Sequence, residues 1–137
     1  MLIAVDFDGT IAEHTFPEIG KAVPGAFYWM KKWQEAGATL ILWTLRSDGH
    51  IKDGVDYGPV LTQAVDFCRE NGVEFAAVNK EIEDGWKTSS PKVHARLYVD
   101  DSAFGCPLTP SKRMGARSMV DWSRVGPTVM FMLGAKQ

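Results

Sequence analysis

Apolar and polar positions fall in blocks along the chain, and the blocks predict strands and helices in turn. Leu2-Ile3-Ala4-Val5 is a short continuous apolar run, as a strand buried on both faces shows. It ends abruptly in Asp6-Phe7-Asp8-Gly9-Thr10. Residues 11–22 read as loop. Over 24–36, Ala26, Phe27, Trp29, Met30 and Trp33 recur at helical spacing, with Pro24 suited to a first turn and Gly37 to a C-terminal cap. A second apolar run, 39–43, closes at Thr44, and the glycine-rich polar stretch 45–58 reads as loop. Val60, Leu61, Ala64, Val65 and Cys68 predict a helix over 59–71, ended by Asn71-Gly72. Residues 75–78 form a third strand, 79–91 another polar loop, and Leu97-Tyr98-Val99 a fourth strand tipped by Asp100-Asp101. Further on, 118–122 reads as a short strand, and 128–133 is apolar without a period that separates helix from strand.

Strands alternating with helices up to residue 100 predict an α/β fold: a Rossmann-like, three-layer arrangement around a mostly parallel central sheet. Such sheets bind ligands beyond the carboxyl ends of their strands. Asp6, Thr44 and Asp100 all fall at such ends.

Composition narrows the class. A chain of 137 residues suits one domain, taken here as 1–137. With 15 basic and 17 acidic residues there is no electrostatic footprint for nucleic acid, which argues against that partner. No apolar stretch approaches the ~20 residues of a membrane span. The first strand begins at once, with no basic leader before it, so a cytoplasmic protein without a membrane partner is expected. Cys68 and Cys106 have no metal-type spacing and read as reduced thiols.

The chemistry sits in the first turn. Alternate side chains of an extended segment share a face, so Asp6 and Asp8 start on one side as the strand ends. Gly9 then lets the backbone turn sharply. Neighbouring carboxylates repel unless a cation or proton intervenes, and a hard oxygen-ligand site for Mg²⁺ resolves the repulsion. One carboxylate can then attack phosphorus, and the other can serve as acid and base. By average residue usage, D-x-D-G-T arises by chance in a chain this long on the order of one time in a thousand.

Through these residues the chain resembles the haloacid dehalogenase (HAD) superfamily, over residues 1–101. The resemblance implies Asp6 as nucleophile and Mg²⁺ ligand. It implies Asp8 as general acid/base, lending the metal a backbone carbonyl. Thr10 belongs to the same motif and is expected at the substrate. Ile41-Leu42-Trp43-Thr44 matches the second motif, so Thr44 is expected to hydrogen-bond the transferring phosphoryl group. Asp100-Asp101 matches the fourth: Asp100 is expected to bind Mg²⁺ directly and Asp101 through water or as support for the ligands. The third motif needs a lysine or arginine. Lys80, Lys87 and Lys92 are candidates, with Lys92 preferred because Pro91-Lys92 opens the segment leading into the acidic strand.

Arg46 follows Thr44 by two residues and is expected to clamp a phosphate or carboxylate in a two-pronged way. His14, His50 and His94 lack ligand spacing and read as loop or surface residues. Residues 11–23 and 79–91, where the family inserts cap domains, are too short for one. A capless phosphomonoester hydrolase with an open site follows, acting on a small phosphorylated molecule or a phosphorylated macromolecule. Its oligomeric state is left open. The 45–58 loop is a candidate lid, and Trp86 a candidate stacking surface.

Three other readings compete. A non-catalytic Mg²⁺ or phospho-ligand module does not require Asp8. A signalling receiver domain carries its acidic pair after the first strand, whereas here the pair comes last. Other phosphotransferases of the superfamily include dehalogenases, which typically lack the second aspartate, and mutases, which usually carry caps.

Overall fold

The structure, a computed structural model, describes residues 1–135. Its elements are β1 (Leu2–Val5), α1 (Ala26–Glu35), β2 (Thr39–Leu42), β3 (Ile51–Lys52), β4 (Val55–Asp56), α2 (Val60–Glu70), β5 (Ala77–Val78), β6 (Leu97–Val99), β7 (Leu108–Thr109), β8 (Met119–Val120) and α3 (Trp122–Ala135). The central sheet runs β5-β2-β1-β6 and is parallel throughout, with Leu2 opposite Thr39 and Ile3 opposite Leu97. This is the α/β, Rossmann-like architecture expected from the alternating blocks.

Stepping from β1 to β2 to β5 moves the same way each time, so right-handed crossovers put α1 and α2 on one face. The rings of Phe27 and Phe67 meet there at 5.6 Å. The C-terminal helix joins this layer. Trp33 and Trp122 pack with centroids 5.1 Å apart, and the Trp33 indole donates to the Gly126 carbonyl at 3.1 Å. Gly126 is required by closeness, since a Cβ there would sit 2.2 Å from the Trp29 ring. Under the helices lie Ile3, Val5, Leu40 and Leu42, all 0–1% exposed. Ala4 and Ile41, on the opposite face, are equally buried. The third layer there is the irregular 79–96 segment, in which Ile82, Trp86 and His94 share a small cavity with Leu2.

One expectation changes, and one stretch left open takes a definite form. Residues 45–58 are not all loop: β3 and β4 form an antiparallel hairpin, turned by Asp53 (φ 53°) and Gly54 (φ 77°). Asp-Gly suits the two left-handed positions of such a turn, but strands of two residues are too short to show alternation. Residues 128–133 resolve as part of α3, because packing on α1 supplies what periodicity did not. The strand expected over 118–122 is shorter: β8 covers Met119–Val120 and pairs with β7, and Trp122 already opens α3.

Candidate active site

Asp6 stands one residue past β1, its N–H donating to the Val99 carbonyl at 2.9 Å and so extending the ladder to β6. The chain then reverses over the Phe7 carbonyl, which accepts from Thr10, Ile11 and Ala12 at 3.1, 2.8 and 3.1 Å. Gly9 holds φ 82°, and a Cβ there would lie 2.0 Å from His14 Nε2. The first motif is therefore a tight turn with no room for a larger residue at its apex.

That turn faces a cleft of about 440 Å³ lined by Asp6, Asp8, Asp100, Asp101, His14 and Thr44. Asp6, Asp100 and Asp101 each offer one carboxylate oxygen within 4.8 Å of the others. Burial first, then the charge of Asp100 and the contact with Asp101, push the Asp6 carboxyl from 3.8 up to about 8. Such crowding is the situation a bound cation relieves, and an all-oxygen donor set suits a hard one.

Thr10 is fully buried rather than substrate-facing. Its hydroxyl lies 3.1 Å from Asp6 Oδ2 and 3.4 Å from Asp101 Oδ1, and accepts from the Asp101 N–H at 3.1 Å. The expectation that it touches substrate is corrected: its hydroxyl is used in tying the first motif to the fourth.

Arg46 is likewise redirected. It is 2% exposed, and its fork closes on Asp8, Nε to Oδ2 and Nη2 to Oδ1, both at 2.8 Å. Nη1 donates to the carbonyls of Pro17 (3.2 Å) and Val60 (3.1 Å), and Nη2 also donates to that of Glu18 (2.8 Å). A guanidinium has five N–H groups. All are engaged, so none is left for substrate, and the two-pronged clamp expected of Arg46 has a protein carboxylate as its target. Asp8 in turn adds no carboxylate oxygen to the Asp6, Asp100 and Asp101 group.

No family model and no curated protein matches this chain. A solved structure does, that of a conserved protein coded by a locus from Bacteroides thetaiotaomicron. It is 33% identical, with a TM-score of 0.73, over 96% of this chain and 91% of that one. The chain belongs to the family of that protein.

Thr44 lines the cleft. Its N–H donates to Asn79 Oδ1 at 2.8 Å, and its hydroxyl accepts from the Arg46 N–H at 3.1 Å, which leaves the hydroxyl proton free to donate. Lys92 does not line the acidic cleft: its Nζ lies over the Tyr98 ring, 5.6 Å from the centroid. Lys87 donates to the Glu83 carbonyl at 2.7 Å. Lys80 lines a neighbouring cavity that shares Trp43, Thr44 and Leu45 with the cleft.

Four residues at or behind the cleft lie outside the motifs read from the sequence. His14 Nε2 pairs with Asp101 Oδ2 at 2.9 Å. Arg117 lines the cleft, its Nη2 3.6 Å from the same oxygen. Asn79 takes φ 54° to brace Thr44. Trp122 donates its indole N–H to the Thr10 carbonyl at 2.7 Å. Asn79 alone had a cue, since asparagine tolerates left-handed backbone at strand ends.

Proposed function

We propose that the protein is a Mg²⁺-dependent phosphomonoester hydrolase of the HAD type that works through an aspartyl phosphate on Asp6. The observation that carries this reading is the meeting of Asp6, Asp100 and Asp101 within 4.8 Å at the carboxyl ends of β1 and β6. Thr44, at the end of β2, lines the same cleft. Mg²⁺ would be held by Asp6 and Asp100 with Asp101 beside them, and when bound it supplies charge neutralisation between carboxylates and phosphoryl oxygens.

The chain's own residues account for the rest. The Asp6 oxygen forms a bond to phosphorus as the ester oxygen leaves, and Asp8 delivers a proton to that oxygen. Thr44 donates to a phosphoryl oxygen. Asp8, now a carboxylate, takes a proton from water as the water oxygen bonds phosphorus. Asp6 is released as a carboxylate together with phosphate. The open cleft, with Leu45 fully exposed at its rim, suits a small phosphorylated molecule or the phosphorylated part of a larger one.

The test is hydrolysis of an aryl phosphate with and without Mg²⁺ by the wild type and Asp6→Asn. Mg²⁺-dependent turnover abolished in a folded Asp6→Asn is expected. Turnover unchanged in that variant removes Asp6 as nucleophile. A folded wild type that binds Mg²⁺ yet turns over neither aryl phosphate nor a panel of sugar and nucleoside phosphates favours a non-catalytic binding module.

A further inference from the structure

We propose that Arg46 is a positioning residue that aims Asp8 at the leaving group; the proposal rests on the hydrolase reading above. The geometry is unusually complete for a single side chain. Arg46 grips both Asp8 oxygens at 2.8 Å, while its other donors hold the carbonyls of Pro17, Glu18 and Val60. The guanidinium carbon also lies over two rings, 5.1 Å from the centroid of Phe7 and 5.1 Å from that of Phe16. Its own backbone is held as well: the N–H donates to Thr44 Oγ1 at 3.1 Å, and the carbonyl accepts from Asn79 Nδ2 at 3.3 Å.

The two fork contacts restrain Asp8, and the others restrain Arg46. A lone aspartate at the rim of an open cleft samples several rotamers. A carboxylate held by a planar fork is fixed in distance and in plane. Arg46 therefore does for Asp8 what ordered partners do for any catalytic group, holding it within the tolerance that proton transfer needs. The pairing also suits the direction of the chemistry. A guanidinium in contact favours the carboxylate form of Asp8, the form left once its proton has passed to the departing oxygen. In the second step the same carboxylate, still held, faces the water it deprotonates. Because three of the anchoring carbonyls lie in the loop before α1 and at the start of α2, the aim of Asp8 is set by parts of the chain outside the first motif.

Two substrates separate this role from a merely structural one. The phenolate of para-nitrophenyl phosphate leaves without needing a proton, whereas the alkoxide of glycerol phosphate needs one. Wild type, Arg46→Lys, Asp8→Asn and the double variant are compared with Mg²⁺ present. Lysine keeps the charge and loses the fork. On glycerol phosphate, kcat of Arg46→Lys is expected to fall by about 10²-fold with KM little changed, in line with the usual worth of general acid catalysis. On the aryl phosphate the loss is expected to be about tenfold smaller, and Arg46→Lys is expected to add little on top of Asp8→Asn. Equal losses on both substrates, full additivity with Asp8→Asn, or a KM effect with kcat retained each overturn the proposal.

Should Arg46→Lys fail to fold, the wild type and Asp8→Asn decide. The Arg46 Nε–H resonance is expected to move in Asp8→Asn and to stay in place on adding Mg²⁺ with beryllium fluoride. The reverse pattern makes Arg46 a phosphate ligand and overturns the proposal. A wild type that hydrolyses neither substrate nor the panel of sugar and nucleoside phosphates defeats the hydrolase reading instead, and the resonance still reports whether Arg46 holds Asp8.

Discussion

His14 Nε2 lies 2.9 Å from Asp101 Oδ2, and the other oxygen of Asp101 faces Thr10, which faces Asp6. A residue from the loop after the first motif thus steadies the acidic end of β6, and through it the proposed nucleophile. Partners behind metal ligands commonly govern affinity by about 10- to 100-fold. His14→Ala is expected to weaken Mg²⁺ binding by about that factor in calorimetric titration. Affinity equal to wild type would mean that Asp101 is held well enough without it.

The raised Asp6 carboxyl makes a prediction about pH. Its ordinary value is 3.8 and its folded value about 8. Below the lower value both folded and unfolded chains hold the proton, and the group is neutral to stability. Between the two the unfolded chain releases the proton while the folded one keeps it, so stability falls as pH rises and levels off above about 8. In EDTA the melting temperature is expected to be lower at pH 8 than at pH 5, and Asp6→Asn to flatten that slope. Mg²⁺ is expected to raise the melting temperature more at pH 8 than at pH 5, since binding must displace the proton. A metal-free melting temperature that climbs between those two pH values in wild type and not in Asp6→Asn would contradict the crowding seen around Asp6.

Gly9→Ala tests the tightness of the first motif. The new Cβ would lie 2.0 Å from His14 Nε2 and 2.6 Å from Asp101 Oδ2, on a backbone with φ 82°. The left-handed conformation alone costs about 1–2 kcal/mol in a residue with a Cβ. Displacement of the His14 and Asp101 pair comes on top. Urea unfolding should register a loss of at least about 2 kcal/mol, together with weaker Mg²⁺ binding. Stability within error of wild type would show that the turn opens more easily than its contacts indicate.

Trp122→Phe removes the indole N–H from a buried carbonyl, that of Thr10. An orphaned buried acceptor costs about 1–3 kcal/mol. Because Thr10 also faces Asp6, the variant is expected to lose turnover as well as stability, although Trp122 lies outside the cleft. Lost stability with undiminished kcat would limit α3 to packing.

Asp48 caps α2 from a distance in sequence. It accepts from the N–H groups of Leu61 and Thr62 at 2.9 and 3.0 Å and from the Thr62 hydroxyl, and these bonds hold its carboxyl below the ordinary value. A depressed carboxyl stabilises the fold above its ordinary value, and the contribution is lost as pH falls through the folded one. Asp48→Ala is expected to melt lower than wild type at neutral pH, with the gap closing under acid conditions. A gap that persists at low pH would assign the effect to something other than this charge.

The central strands and both crossover helices were legible because each buries a face, and burial writes a period into the residues. Leu2–Val5 and Leu97–Val99 are found where the apolar runs end, and Asp6 and Asp100 follow them directly. The grouping of Asp6, Asp100 and Asp101 was legible too, since parallel strands bring their carboxyl ends together. What periodicity does not carry is the direction of a side chain once the strand has ended. Arg46 and Thr10 sit where the spacing puts them, but whether they point to solvent or inward depends on carbonyls and carboxylates brought from elsewhere in the chain. His14, Arg117 and Trp122 reach or back the site only through the packing of the loop, the β7–β8 hairpin and α3 against the first motif, contacts across as many as 112 positions. Local pattern specifies strands, helices and the chemistry at their tips. Hydrogen-bond partners far apart in sequence are chosen by the closed fold, because only there do buried donors and acceptors have to find one another.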